Sequence, residues 1–127
     1  MKKSILGILG FAAAIALHSC EDDPSNMGRI QQMRDTVLHS FANISGTALE
    51  VKDNEKLNVV LIGPSLPAAP EAEKQQMATR VKGMAGVVFK GSNVTTGKVV
   101  FSNQDPSDMD AAMSVPGYDI SFGPEAR

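Results

Sequence analysis

The chain has 127 residues, with 12 basic and 14 acidic side chains, one tyrosine, no tryptophan and one cysteine. An acidic chain without basic clusters argues against nucleic acid as a partner and against electrostatic docking on anionic lipid, and the scarcity of aromatic rings removes the usual platform for sugars. One cysteine excludes an intramolecular disulfide, so a domain of this size must rest on its apolar core alone.

Lys2 and Lys3 form a cationic start, and Ile5 to Leu17 form an uncharged apolar stretch. That stretch is shorter than the roughly 20 residues a helix needs to cross a bilayer. A small residue, Ser19, then precedes Cys20. This is the layout of a cleaved secretory signal peptide. The segment Leu17-His18-Ser19-Cys20 resembles the lipobox of bacterial lipoproteins, with an aliphatic residue three before the cysteine and a small one directly before it. His18 departs from the pattern, since that position is usually small or aliphatic. The resemblance implies cleavage between Ser19 and Cys20, a diacylglyceryl thioether on the Cys20 sulfur and acylation of the new amine. Sulfur suits this chemistry because it is nucleophilic and makes a stable thioether. The first partner implied is therefore the lipid bilayer, gripped by two or three acyl chains where one alone would hold only marginally.

Glu21, Asp22 and Asp23 follow. Glu21 in place of aspartate lacks the inner-membrane retention signal known in enterobacteria. The acidic run resembles the export signal of surface lipoproteins in Bacteroidota; the alternative is a solvated spacer. The implied location is the cell envelope, on the outer membrane, at the cell surface or on the periplasmic face. All 14 acidic residues lie after Cys20, so loss of Lys2 and Lys3 leaves a mature chain more acidic than the precursor's −2.

The expected organisation is a leader over 1–19, a lipidated tether over 20–23 and one small domain over 24–127, enough chain for a single core. Asp23 and Pro24 suit the N-cap and first position of a helix. Met27, Ile30, Met33, Val37, Phe41 and Ile44 recur in steps of three and four, with Leu38 widening the stripe, which predicts one helix up to Gly46 packed against a sheet. Thr47 to Lys52 alternates as a half-exposed strand, Asp53-Asn54-Glu55 carries turn chemistry, and Leu57 to Ile62, apolar except at Asn58, reads as a covered central strand. The two should pair as a hairpin.

Gly63 to Pro70 holds three prolines and cannot be regular; it reads as a strand-to-helix crossover, or else as an exposed recognition loop. A second helix is expected from Pro70 to Gly91, with Glu71 and Glu73 at its positive end. Ala72, Met77, Val81, Met84, Ala85 and Val88 would form its apolar side, with Gly83 and Gly86 permitting close packing. The alternative ends the helix near Gly83 and makes Gly86 to Phe89 a strand. Lys98 to Ser102 predicts a third strand, Asn103 to Asp110 a polar loop, and Tyr118, Ile120 and Phe122 a short edge strand bracketed by Pro116 and Pro124. The fold class expected is a small two-layer α+β sandwich in the order α-β-β-α-β, with both helices on one face.

Candidate catalytic groups are few. His39 is the lone histidine of the mature chain and falls on the flank of a helix stripe, with no second histidine or cysteine to complete a zinc site. No nucleophile-elbow pattern is present. Asn103, Asp105, Asp108 and Asp110 form the best oxygen-ligand cluster, but Asp108 takes the place of the invariant glycine of a calcium loop and the bidentate glutamate is missing. Gly83, Gly86 and Gly91 do not lie between a strand and a helix, as a nucleotide fingerprint requires. No cofactor or metal is expected. The sequence therefore reads as a membrane-anchored envelope lipoprotein, with a noncatalytic domain that binds or scaffolds an envelope protein or glycan. Its candidate contact surfaces are the Pro64 to Pro70 loop, the acidic loop and the second strand edge. The alternatives are a small hydrolase, which requires two carboxylates to converge with shifted pKa values, and a solute-binding module, which requires an apolar pocket between helices and sheet.

Overall fold

The computed structural model describes residues 24–123; the leader, Ser19, Cys20 and the acidic residues Glu21, Asp22 and Asp23 lie outside them. In chain order the elements are α1 (Pro24–Ser40), β1 (Gly46–Lys52), β2 (Lys56–Ile62), α2 (Glu71–Val88), β3 (Thr96–Ser102), α3 (Met109–Ala112) and β4 (Tyr118–Ser121). The α+β class and the expected order of elements hold, the short last strand appears as β4, and only α3 is added. The four strands form one sheet in the order β1-β2-β3-β4.

The β1–β2 pair is an antiparallel hairpin with Glu50 opposite Asn58. Its turn places Asp53 and Asn54 at φ of 56° and 58°, the positive pair that a tight hairpin turn of the right twist needs and that aspartate and asparagine tolerate best. β2 and β3 run parallel, so the chain must cross over between them, and α2 is that crossover. The proline-rich connector enters it through one 3-10 turn, Leu66–Ala68, with Leu66 fully buried. The connector is thus the crossover expected, pinned to the core rather than held out as a loop.

Alternation along the central strands sorts their side chains onto two faces. Leu57, Val59, Leu61 and Val99 join Met33 and Val37 of α1 and Met77, Val81 and Ala85 of α2 in the main core. Burial of each of the larger side chains among them stabilises the fold by about 1.5–3 kcal/mol. Both long helices therefore lie on one face, as expected. The opposite face carries a smaller cluster, Val60, Ile62 and Val100, covered by Met109, Ala112 and Met113 from the β3–β4 connection.

Several expectations are corrected. α1 ends at Ser40, not near Gly46. The Arg80 guanidinium of α2 donates to the Ser40 carbonyl at 2.6 Å and lies 4.4 Å from the centre of the Phe41 ring, while Ser45 already donates to Ile62 across the hairpin. Phe41 and Ile44 still reach the core, from a turn rather than a helix. Met27 and Leu38 are 65% and 41% exposed, so the first residue of the predicted stripe and the one that widened it leave the core. α2 runs unbroken through Val88, which settles Gly86 to Phe89 as helix with its C-cap. Gly91 follows at φ +84°, and a Cβ at Gly83 would meet nothing within 4 Å, so Gly83 serves no close packing; Ala72 is exposed. The polar loop after β3 contains one helical turn, because the Asp108 carboxylate accepts from the Asp110 amide at 3.0 Å as an N-cap.

Candidate functional site

A sheet of four strands has two edges, and in this fold each edge runs beside a helix that leaves a groove open. The first groove, about 940 Å³, lies between α2 and β4. Gln75, Gln76, Thr79 and Lys82 form its helix wall, and Asp119 and Ile120 form its strand wall. Tyr118 closes one end: its hydroxyl donates to the Glu71 carboxylate, and its ring meets Phe101 edge-on at 5.8 Å. The bond to Glu71 pushes the phenol up to about 12, with burial and the carboxylate's charge adding to the effect.

The second groove, about 550 Å³, wraps around the edge of β1. Asn26, Met27 and Ile30 of α1 wall one side, together with Leu49 and Val51. Glu50, Lys52, Asp53 and Asp110 form the other side. The Lys52 ammonium pairs with Asp110 at 3.0 Å; this hydrogen bond and the carboxylate's charge raise the lysine above its ordinary value.

Backbone register decides what the β1 edge presents. Gly63 donates to Ser102, so the odd-numbered residues of β2 bond to β3 and the even-numbered ones, Asn58 and Val60, face β1. Their partners Glu50 and Ala48 bond inward, and Thr47, Leu49 and Val51 turn their peptide groups outward. The Arg34 guanidinium confirms this by donating to the Thr47 carbonyl from outside at 3.2 Å. Leu49 and Val51, both on the groove wall, thus aim backbone N–H and C=O groups into it.

Two asparagines are out of place in a well-satisfied interior. Asn26 and Asn58 are each 4% exposed, and the side-chain oxygen of each lacks a hydrogen-bond partner. Their amide nitrogens are used: Asn26 donates to Asn54 at 3.4 Å and Asn58 to Glu50 at 2.8 Å. A buried carbonyl without a donor is destabilising by about 1–3 kcal/mol.

The sequence-predicted positions are scattered. His39 is exposed in the last turn of α1, its Nδ1 at 2.7 Å from the Asp35 carbonyl. The acidic loop splits, Asp108 capping α3 and Asp110 pairing with Lys52. Among the described residues no three acidic, histidine or cysteine side chains gather closely enough to hold a metal ion. Glu50, Asp110, Glu71 and Glu73 each engage a different partner, respectively Asn58, Lys52, Tyr118 and Asn43. The space between helices and sheet is filled by core side chains. Sequence reasoning missed Asn26 and the exposed Met27 as groove residues, since Met27 reads there as part of the apolar stripe.

Among the described residues no helix is long and apolar enough to cross a membrane. No family model matches the chain, and no curated protein or solved structure is detectably similar to it.

Proposed function

We propose that this protein is an envelope lipoprotein, tethered by acyl chains on Cys20, whose domain is a noncatalytic binding or scaffold module acting close to the membrane surface. The observation that carries the reading is the placement of the one cysteine directly after Leu17-His18-Ser19, at the end of an apolar leader. The start of α1 at Pro24 adds a distance argument. The short tether from Cys20 to Asp23 spans at most about 14 Å even when fully extended, so a domain anchored this way works at the bilayer and not at the end of a long stalk. Two helix-flanked sheet edges with open grooves are the kind of surface such a module would offer.

The test is metabolic labelling with a clickable palmitate analogue in a bacterial host. The wild-type chain should take up label and fractionate with membranes. Cys20→Ala should lose both properties. A Cys20→Ala chain that stays labelled, or a wild-type chain that never acquires label, would refute the anchor. Protease treatment of intact cells then separates the two faces: release of domain peptides while a periplasmic control survives means surface export through Glu21, Asp22 and Asp23.

A further inference from the structure

We infer that the groove along β1 is a strand-addition site for a basic, extended segment of a partner protein, one alternating cationic and apolar side chains. The inference deepens the binding-module reading above and rests on it, but not on acylation of Cys20. Three independent observations converge there. The peptide groups of Leu49 and Val51 face the groove, which is the backbone half of strand addition. β1 is a seven-residue strand, and no glycine or proline interrupts it after Gly46, whereas β4 spans four residues and sits between prolines, a common way to blunt an edge.

The walls then supply side-chain chemistry with the same alternation. On the helix side stand Met27, 65% exposed, and Ile30, an apolar shelf at the edge of the core. On the other side stand Glu50, Asp53 and Asp110, against the single cation Lys52. A strand laid antiparallel or parallel to β1 would send alternate side chains to these two faces. Apolar groups would fall on Met27 and Ile30, and lysine or arginine groups would fall among the carboxylates.

The third observation is Asn26. Its side-chain oxygen is buried on the groove wall with no donor, while its nitrogen donates to the turn residue Asn54. An unpartnered acceptor on that wall suits an incoming N–H. The excess of carboxylates sets the partner's charge as basic, and the outward peptide groups set its conformation as extended.

The experiment uses the full chain, purified in detergent, and a short capped peptide alternating lysine and valine, read by fluorescence anisotropy. Saturable binding is expected. Leu49→Pro, which deletes one outward N–H at an edge where proline is tolerated, should weaken it by about tenfold. Met27→Lys, at an exposed position that leaves folding intact, should weaken it by about fivefold through like-charge repulsion and loss of the shelf. The same peptide N-methylated at alternate residues should not bind, a readout that needs no protein variant. Equal binding of the N-methylated peptide would overturn the proposal by reducing the effect to charge attraction. So would a chain that rejects the peptide and self-associates in a way Leu49→Pro abolishes, since the occupant of β1 would then be a second copy. Either failure leaves the palmitate result untouched, and loss of the lipid anchor leaves the peptide titration untouched.

Discussion

Gly97→Ala and Gly83→Ala make the same chemical change and should shift stability in opposite directions. Gly97 lies in β3, where its parallel register partner is Leu57 of β2 and its antiparallel partner is Ile120 of β4. A Cβ there would sit well inside contact distance of the Leu57 carbonyl oxygen, 3.2 Å from that carbonyl's carbon and 3.3 Å from the Leu57 Cβ. The first two are backbone atoms of a central strand and the Cβ is fixed to it, so relief requires β2 and β3 to separate locally. Overpacking of this kind is destabilising by about 1–3 kcal/mol, and one weakened ladder bond adds about 1 kcal/mol. The sum is about 2–4 kcal/mol. Gly83 is exposed on α2 with open space where its Cβ would go, so alanine there should stabilise by about 0.5–1 kcal/mol through helix propensity and a less flexible unfolded chain. Urea unfolding followed by far-UV circular dichroism reads both. The Gly97→Ala midpoint should fall by about 1–2 M at a typical slope, and the Gly83→Ala midpoint should rise by a few tenths. A Gly97→Ala protein as stable as the wild type, or a Gly83→Ala protein less stable than it, would refute the packing argument at that site.

Tyr118 is the one tyrosine in a chain without tryptophan, so phenolate absorbance reports it alone. Its midpoint should lie near 12 and move down toward the ordinary tyrosine value in Glu71→Gln, because the largest cause is the bond to that carboxylate. With the folded value above the unfolded one, the contribution of this contact is complete below the ordinary value and disappears as pH rises through the folded midpoint; a midpoint unmoved by Glu71→Gln would break the assignment. Asn58→Val removes a buried carbonyl that has no donor and places a β-branched residue in a central strand. The variant should gain about 1–2 kcal/mol in urea unfolding, since Glu50, its only side-chain partner, can turn to water. A loss of stability would mean that Asn58 is satisfied in solution.

Asn58 also bears on why the β2 register is unique. The strand reads Lys56-Leu57-Asn58-Val59-Val60-Leu61-Ile62, nearly apolar on both faces. A slip of one residue would exchange the faces with little change in burial, except that Asn58 would enter the main core. The polar break that looks like a defect in an apolar run therefore makes the alternative register unfavourable.

Local pattern carried most of the fold into view. The three-and-four spacing of Met33 and Val37, the alternation of Leu49 and Val51, the Asp53-Asn54 turn and the proline-rich crossover are all properties of neighbours in sequence, and each appears where the chemistry of a few consecutive residues places it. The expected two-layer α+β order followed, because amphipathic helices and strands have few ways to bury their apolar faces together. The misses share one cause. Where α1 stops depends on Arg80, forty residues away in sequence; whether Met27 is covered depends on how far the helix overhangs β1. Whether the Asn26 amide finds an acceptor depends on the turn at Asn54, and the one-turn helix α3 is docked where Met109, Ala112 and Met113 pack on Val60, Ile62 and Val100. The grooves have the same origin. A sheet edge exists only once strand order is set, and strand order is decided by the packing of elements far apart along the chain. The sequence by itself determined the lone cysteine and the order of the main helices and strands; tertiary packing alone decided which strands became edges and which polar groups were left facing them, because burial and pairing are properties of the assembled fold and not of any segment within it.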